Sequence, residues 1–154
     1  MDKVLINYIK LISIGKIIDL GVGESETSLY LSYLGFDVEV VDILDVVIDS
    51  YIKKATRYDV NVKTKVIDIR DLELIQNSYD LVIASNSLHF LNKVEIDTIL
   101  SKIRNSLKMQ GMFYFRTASD TVSKFDELSK SSGREGNIVI IYIDFTKKRF
   151  LITF

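Results

Sequence analysis

A short apolar strand running directly into a glycine turn constrains this chain more than any other feature. Ile17-Ile18-Asp19-Leu20-Gly21-Val22-Gly23-Glu24-Ser25 reads as strand, tight turn and helix start. Glycine is needed in such a turn because a Cβ would keep the backbone N–H groups away from a nucleotide-like ligand. A turn of this kind belongs to a sheet of alternating strands and helices, and the chain supplies them. Leu29, Tyr30, Leu31, Tyr33 and Leu34 form a helical face over residues 25–34 that ends at Gly35. Asp37–Asp42 is a strand, 44–58 an amphipathic helix and 62–69 a third strand. Tyr79–Ser85 is almost wholly apolar, as a strand covered on both faces should be. A helix over 93–108 and a fifth strand at 112–116 complete the pattern. This order predicts parallel strands joined by right-handed crossovers, a doubly wound (Rossmann-like) α/β sheet with helices on both faces.

The last third departs from that rhythm. Residues 120–132 are polar and read as a short helix. Two apolar strands, 138–143 and 150–154, flank a charged turn at 144–149 and predict an antiparallel hairpin. These apolar strands suit a homodimer edge and an ordinary sheet edge equally. No repeat or linker interrupts the 154 residues, so a single domain over 1–154 is expected.

Composition narrows the chemistry. Twenty Lys and Arg against 21 Asp and Glu leave a net charge of −1, which gives no global field for nucleic acid or an anionic membrane. The absence of cysteine removes disulfides, thiolate catalysis, cysteine zinc sites and iron–sulfur clusters. His89 is the single histidine, so no multi-histidine metal site is expected. Asp2, Lys3, Asn7 and Lys10 break up the apolar residues at the N-terminus, unlike the unbroken core of a secretory signal. No apolar run approaches the ~20 residues that span a bilayer. A soluble, cytoplasmic protein is the expectation.

Two cofactor classes use a strand–glycine–helix turn. A dinucleotide site wants G-x-G-x-x-G, but Glu26 stands three residues after Gly23, where a carboxylate would repel a pyrophosphate. The adenosylmethionine version wants acid-x-G-x-G-x-G, and Asp19, Gly21 and Gly23 supply it, with Ser25 in the third glycine's place. An acid suits a ligand that carries an ammonium and a sulfonium. Asp42 closes the second strand 21 residues after Gly21, where it can accept both ribose hydroxyls. Asp68 closes the third strand, where it can accept an adenine amino group. Any one of these acids could simply cap a turn. Three at successive strand ends beside a glycine turn favour cofactor binding.

These residues resemble the class I S-adenosylmethionine-dependent methyltransferases, most closely the TehB-like tellurite-resistance group. The resemblance rests on Asp19 to Gly23, Ser28 to Leu31, Gly35 to Val38, Tyr79 to Ser85, Leu88 to Leu91 and the stretch 101–111. It implies a seven-stranded, mostly parallel sheet with one antiparallel strand. It further implies that Asp19, Gly21, Gly23 and Ser25 hold the methionine end, Asp42 with Ile43 the ribose, and Asp68 with Ile69 the adenine. Ser85 or Asn86 would lie near the transferred methyl group. Ser25 departs from the family pattern, as does Met109-Gln110 where Pro-Gly usually precedes Gly111.

Methyl transfer from a sulfonium is an in-line displacement that alignment alone accelerates strongly. A base is needed only for a protonated acceptor, and His89 has the appropriate intrinsic pKa. The plainer reading, which the residues favour, is a loop histidine in a Leu-His-Phe-Leu stretch that helps cover the core. Asn86 could orient an acceptor, and Arg116 could bind an anionic group or stand solvated at its strand end. Asn86 is not followed by the Pro-Pro-Tyr/Phe of DNA amino-methyltransferases, which speaks against a nucleic-acid partner. Lys147-Lys148-Arg149 is most simply a charged turn. The expected function is S-adenosylmethionine-dependent methylation of a small molecule, with a protein side chain less favoured as acceptor. The alternative is a catalytically inactive binding or scaffold protein on the same fold. A nicotinamide dehydrogenase is opposed by Glu26 and by the missing Tyr-x-x-x-Lys pair.

Overall fold

The computed structural model describes residues 3–10, 12–117, 139–144 and 149–153. Strands β1 (Lys16–Leu20), β2 (Asp37–Asp42), β3 (Val62–Val66), β4 (Tyr79–Ser85) and β5 (Leu107–Thr117) stand in the order β3-β2-β1-β4-β5. Every neighbouring pair among them is parallel. Helix α1 (Lys3–Ile9) precedes β1, α2 (Thr27–Tyr33) and α3 (Asp45–Arg57) join β1 to β2 and β2 to β3, an irregular segment joins β3 to β4, and α4 (Lys93–Ser106) leads into β5, with a short 3-10 turn at Leu88–Phe90 after β4. Two later strands are β6 (Val139–Asp144) and β7 (Arg149–Thr153).

The two-residue period of the strands divides the core in two. Ile17, Val38, Val40, Leu81 and Ile83 point to one face and pack with Leu5, Leu29, Leu31, Ile48 and Tyr51 from α1, α2 and α3. Ile18, Leu20, Val41, Val82 and Ala84 point to the other, against Ile99 and Ile103 of α4 and Leu88. Helices therefore cover both faces, the doubly wound arrangement that the sequence predicts. The chain changes face between β1 and β4, and a crevice opens at their carboxyl ends.

Two strand boundaries differ from expectation. The third strand ends at Val66 rather than 69. The Ile67 N–H makes a last bond to the Asp42 carbonyl at 2.9 Å, and the chain then turns at Asp68, whose carboxylate accepts the Arg70 N–H at 2.9 Å. Ile67 and Ile69 mimic a strand because both pack against the α4-side core. The fifth strand begins at Leu107 rather than 112, because Leu107 already pairs with Tyr79 before a register shift. The helix expected at 120–132 and the interior of the 144–149 turn lie outside the described residues.

Candidate functional site

Gly21 leaves β1 at φ +72° and Gly23 follows at φ +52°, both in the left-handed region that favours glycine. A Cβ at Gly21 would lie 2.6 Å from the Cβ of Ser87, whereas one at Gly23 would meet nothing within 4 Å. The Gly21 and Val22 N–H groups both donate to the Val41 carbonyl, at 2.9 and 3.1 Å, and fasten the turn to the end of β2. One residue on, the buried Asp42 carboxylate accepts the Gly23 N–H at 3.0 Å and the Leu44 N–H at 3.1 Å. The glycine turn and the β2 loop are thus one hydrogen-bonded unit.

Ser25 resolves its departure from the glycine pattern. It is absent from the positive-φ residues, its N–H donates to the Val22 carbonyl at 3.0 Å, and its Oγ accepts the Thr27 N–H at 3.2 Å. The turn therefore needs no glycine there. Asp19 lies beneath the turn, fully buried, and accepts the Ser28 hydroxyl. Burial pushes its carboxyl up to about 7, the Ser28 hydrogen bond opposes the rise, and Asp42 adds to it. The Tyr51 hydroxyl from α3 is buried beside them without a hydrogen-bond partner. Burial, and then the charge of Asp19, push its pKa up from the usual phenol value.

Above the turn is a cleft of about 490 Å³, within the size range of small-molecule sites. Gly21, Gly23, Ser25, Ser85 and Asn86 line it together with apolar Leu5, Ile83 and Tyr114 and charged Glu24, Glu26 and Arg116. Asn86 adopts φ +55° and its N–H donates to the Arg116 carbonyl at 2.8 Å, so the ends of β4 and β5 share one rim.

The remaining expected site residues lie outside this lining. Asp42 joins it only through Gly23, and Ile43 is exposed beyond Asp42. Asp68 is engaged by the Arg70 guanidinium at 2.9 and 3.0 Å, which holds its carboxyl below the usual carboxylate range. Ile69 turns to the core. His89 packs on Phe90 with ring centroids 3.9 Å apart, and its Nδ1 is buried without a partner. Sequence reasoning missed Leu5 and Tyr114 as cleft walls. The apolar helical face of α1 and the strand alternation of β5 were the available signals.

Among the described residues no helix is long and apolar enough to cross a membrane. The family described as tellurite resistance protein TehB matches residues 2–129. A Haemophilus influenzae protein named "Probable S-adenosyl-L-methionine-dependent methyltransferase TehB" is 30% identical over 107 residues, 70% of this chain and 37% of its own length. The chain thus spans little more than a third of that curated relative. The crystal structure of Haemophilus influenzae TehB superposes with TM-score 0.68 at 23% identity, covering 82% of this chain and 50% of that one. A TehB-like SAM-dependent methyltransferase from Corynebacterium glutamicum is 27% identical with TM-score 0.57, over 70% of this chain and 56% of that one. With its family match extending over most of its length, the chain belongs to the TehB family.

Proposed function

We propose that the protein is an S-adenosylmethionine-dependent methyltransferase acting on a small-molecule acceptor. The observation that carries this reading is the Gly21–Gly23 turn bonded to the Asp42 carboxylate at the mouth of the β1–β4 cleft. Two features fit the cofactor. A Cβ at Gly21 would close the turn against Ser87, and two of the carboxylate's roughly four acceptor positions are taken by N–H groups. The remaining acceptor positions suit a pair of ribose hydroxyls. The names of the Haemophilus and Corynebacterium relatives support the same cofactor.

In this reading the turn from Gly21 to Ser25 takes the methionine end, with Asp19 beneath it, and Asp42 with Ile43 the ribose. Asp68 and Ile69 take the adenine, for which the Arg70 side chain must give up part of its hold on Asp68. The cofactor when bound supplies an electrophilic methyl group. Ser85 contacts the cofactor beside that methyl group, Asn86 orients the acceptor in line with it, and Arg116 on the same rim favours an acceptor bearing an anionic group. A general-base role for His89 falls to Nε2, since Nδ1 is enclosed.

The full sheet in this reading has seven strands. Backbone registers that place β6 parallel to β5 and β7 antiparallel to β6 support it.

Calorimetric titration with S-adenosylmethionine and with S-adenosylhomocysteine tests the proposal. Micromolar binding is expected, weakened more than tenfold by Asp42→Ala through loss of charge-assisted hydrogen bonds worth ~1.5–3 kcal/mol. Binding untouched by that substitution would remove the ribose contact, and absence of binding would remove the enzyme.

A further inference from the structure

The buried polar groups beneath the glycine turn have no structural account. Asp19 is the penultimate residue of β1 and is shielded from water, with the Ser28 hydroxyl as a donor and a second carboxylate, Asp42, close enough to oppose its charge. The Tyr51 hydroxyl is enclosed alongside, facing the Ser28 hydroxyl and Asp19 with no well-formed hydrogen bond to either. A buried donor without an acceptor is costly, and an isolated buried carboxylate is costlier still. Apolar residues at the two positions would avoid both costs. The arrangement makes sense if the carboxylate changes ionisation and the tyrosine is a donor held for its ionised form.

We propose that Asp19, Ser28 and Tyr51 form a proton-exchange site under the cofactor turn, in which Asp19 holds a proton while the cleft is empty and releases it to solvent when a cationic ligand binds. This rests on the cofactor reading above, and adds that binding is proton-linked. A ligand bringing an ammonium and a sulfonium to Gly21–Ser25 places positive charge over a neutral acid. That charge favours the carboxylate, and the Ser28 and Tyr51 hydroxyls then both donate to it. The groups facing Asp19 are Asp42 from the end of β2, Ser28 from α2 and Tyr51 from α3. Asp42 resists the ionisation, the ligand overcomes it, and the proton goes to the buffer. An acid titrating near 7 makes the exchange effective around neutrality.

The test is calorimetry with S-adenosylmethionine in two buffers of unlike ionisation enthalpy, from about pH 6 to about pH 8.5, a range set by linkage to the Asp19 titration. The expected result is release approaching one proton near the acid end, fading at the alkaline end. Asp19→Asn is expected to bind more weakly, and its titration at saturating ligand subtracts the protons exchanged by the ligand itself. Tyr51→Phe removes a donor from the ionised form, so its release should persist to higher pH. A purely packing role for Tyr51 would not move that profile. Measurable binding whose heat is independent of buffer across the range, or identical profiles for wild type and Asp19→Asn, would overturn the proposal. No binding at any pH would overturn the cofactor reading first, and this one with it.

Discussion

Gly21 and Gly23 are alike in sequence and unlike in what they require. Both have positive φ, but only Gly21 faces a wall, the Ser87 Cβ at 2.6 Å. Gly23→Ala should therefore cost only the left-handed backbone penalty of ~1–2 kcal/mol, while Gly21→Ala adds a clash. Urea denaturation should rank Gly21→Ala as the less stable, and Ser87→Gly should recover part of its loss but none of the loss at Gly23→Ala. Equal effects, or no rescue, would remove the steric argument. Asp19 makes a prediction of opposite sign. Its carboxyl rises from 3.8 to about 7 on folding, so its stabilising contribution is complete below pH 3.8 and disappears as pH rises through 7. Asp19→Asn should melt above the wild type near pH 8 by several degrees, roughly 1–3 kcal/mol, and the gap should close toward pH 5. A wild type that remains the more stable at pH 8 would show that Asp19 is not a strained acid. The glycine turn was legible because the spacing of Gly21 and Gly23 along the chain carries the signal. Tyr51 was not, since a tyrosine at helical spacing reads as core and only the fold sets its hydroxyl beside Asp19.

Elements show the same division between local pattern and tertiary context. The alternation of β3 was readable at its start, but Ile67 and Ile69 continued the apolar rhythm after the backbone had turned. As the outer strand beside β2, β3 exposes Lys63 and Lys65, and Lys63 pairs with Asp37 at 2.7 Å. Charged side chains there discourage pairing with another sheet. Helix α4 starts where the sequence placed it because Asn92 and Glu95 form a capping box, with Asn92 Oδ1 accepting the Glu95 N–H at 3.0 Å and Glu95 Oε2 accepting the Asn92 N–H at 2.8 Å. Between α4 and the main run of β5 lies a point of strain. Gln110 adopts φ +68°, next to Gly111, whose Cβ would meet the Lys108 carbonyl oxygen at 2.8 Å. The family resemblance expects glycine at Gln110. Gln110→Gly should stabilise the protein by ~0.5–1 kcal/mol, visible as a melting temperature raised by a few degrees. Gly111→Ala should lower it. A Gln110→Gly protein no more stable than wild type would mean that the side chain has a role that the exposed position hides.

At the scale of the molecule, the central sheet is packed on both faces and its carboxyl edge is not held in the same way. Strands β1 and β4 are buried on both faces, while the connections from their ends meet through the approach of Gly21 to Ser87 and through hydrogen bonds such as Gly23 to Asp42 and Asn86 to Arg116. The location of this edge was legible, because a glycine turn after the first strand of a doubly wound sheet marks the switch point. The far wall was not, because Leu5 and Tyr114 reach the cleft from opposite ends of the described core. A ligand seated there would add contacts across the β1, β2 and β4 connections, of which the first two already share hydrogen bonds. Binding only to the folded state must then raise stability by RT ln(1 + [L]/Kd), about 2.7 kcal/mol at a hundredfold excess over Kd. For a chain of this size that is a shift of roughly 5–10 °C. The rise should follow the logarithm of S-adenosylmethionine concentration, and Asp42→Ala should need more than ten times the ligand for the same shift. Hydrogen exchange should slow mainly in the three connections, since the strands are already protected by the core. If protection instead rose evenly across the sheet, or if the amides after β1, β2 and β4 were unchanged, the ligand would be acting elsewhere than at the strand-order switch.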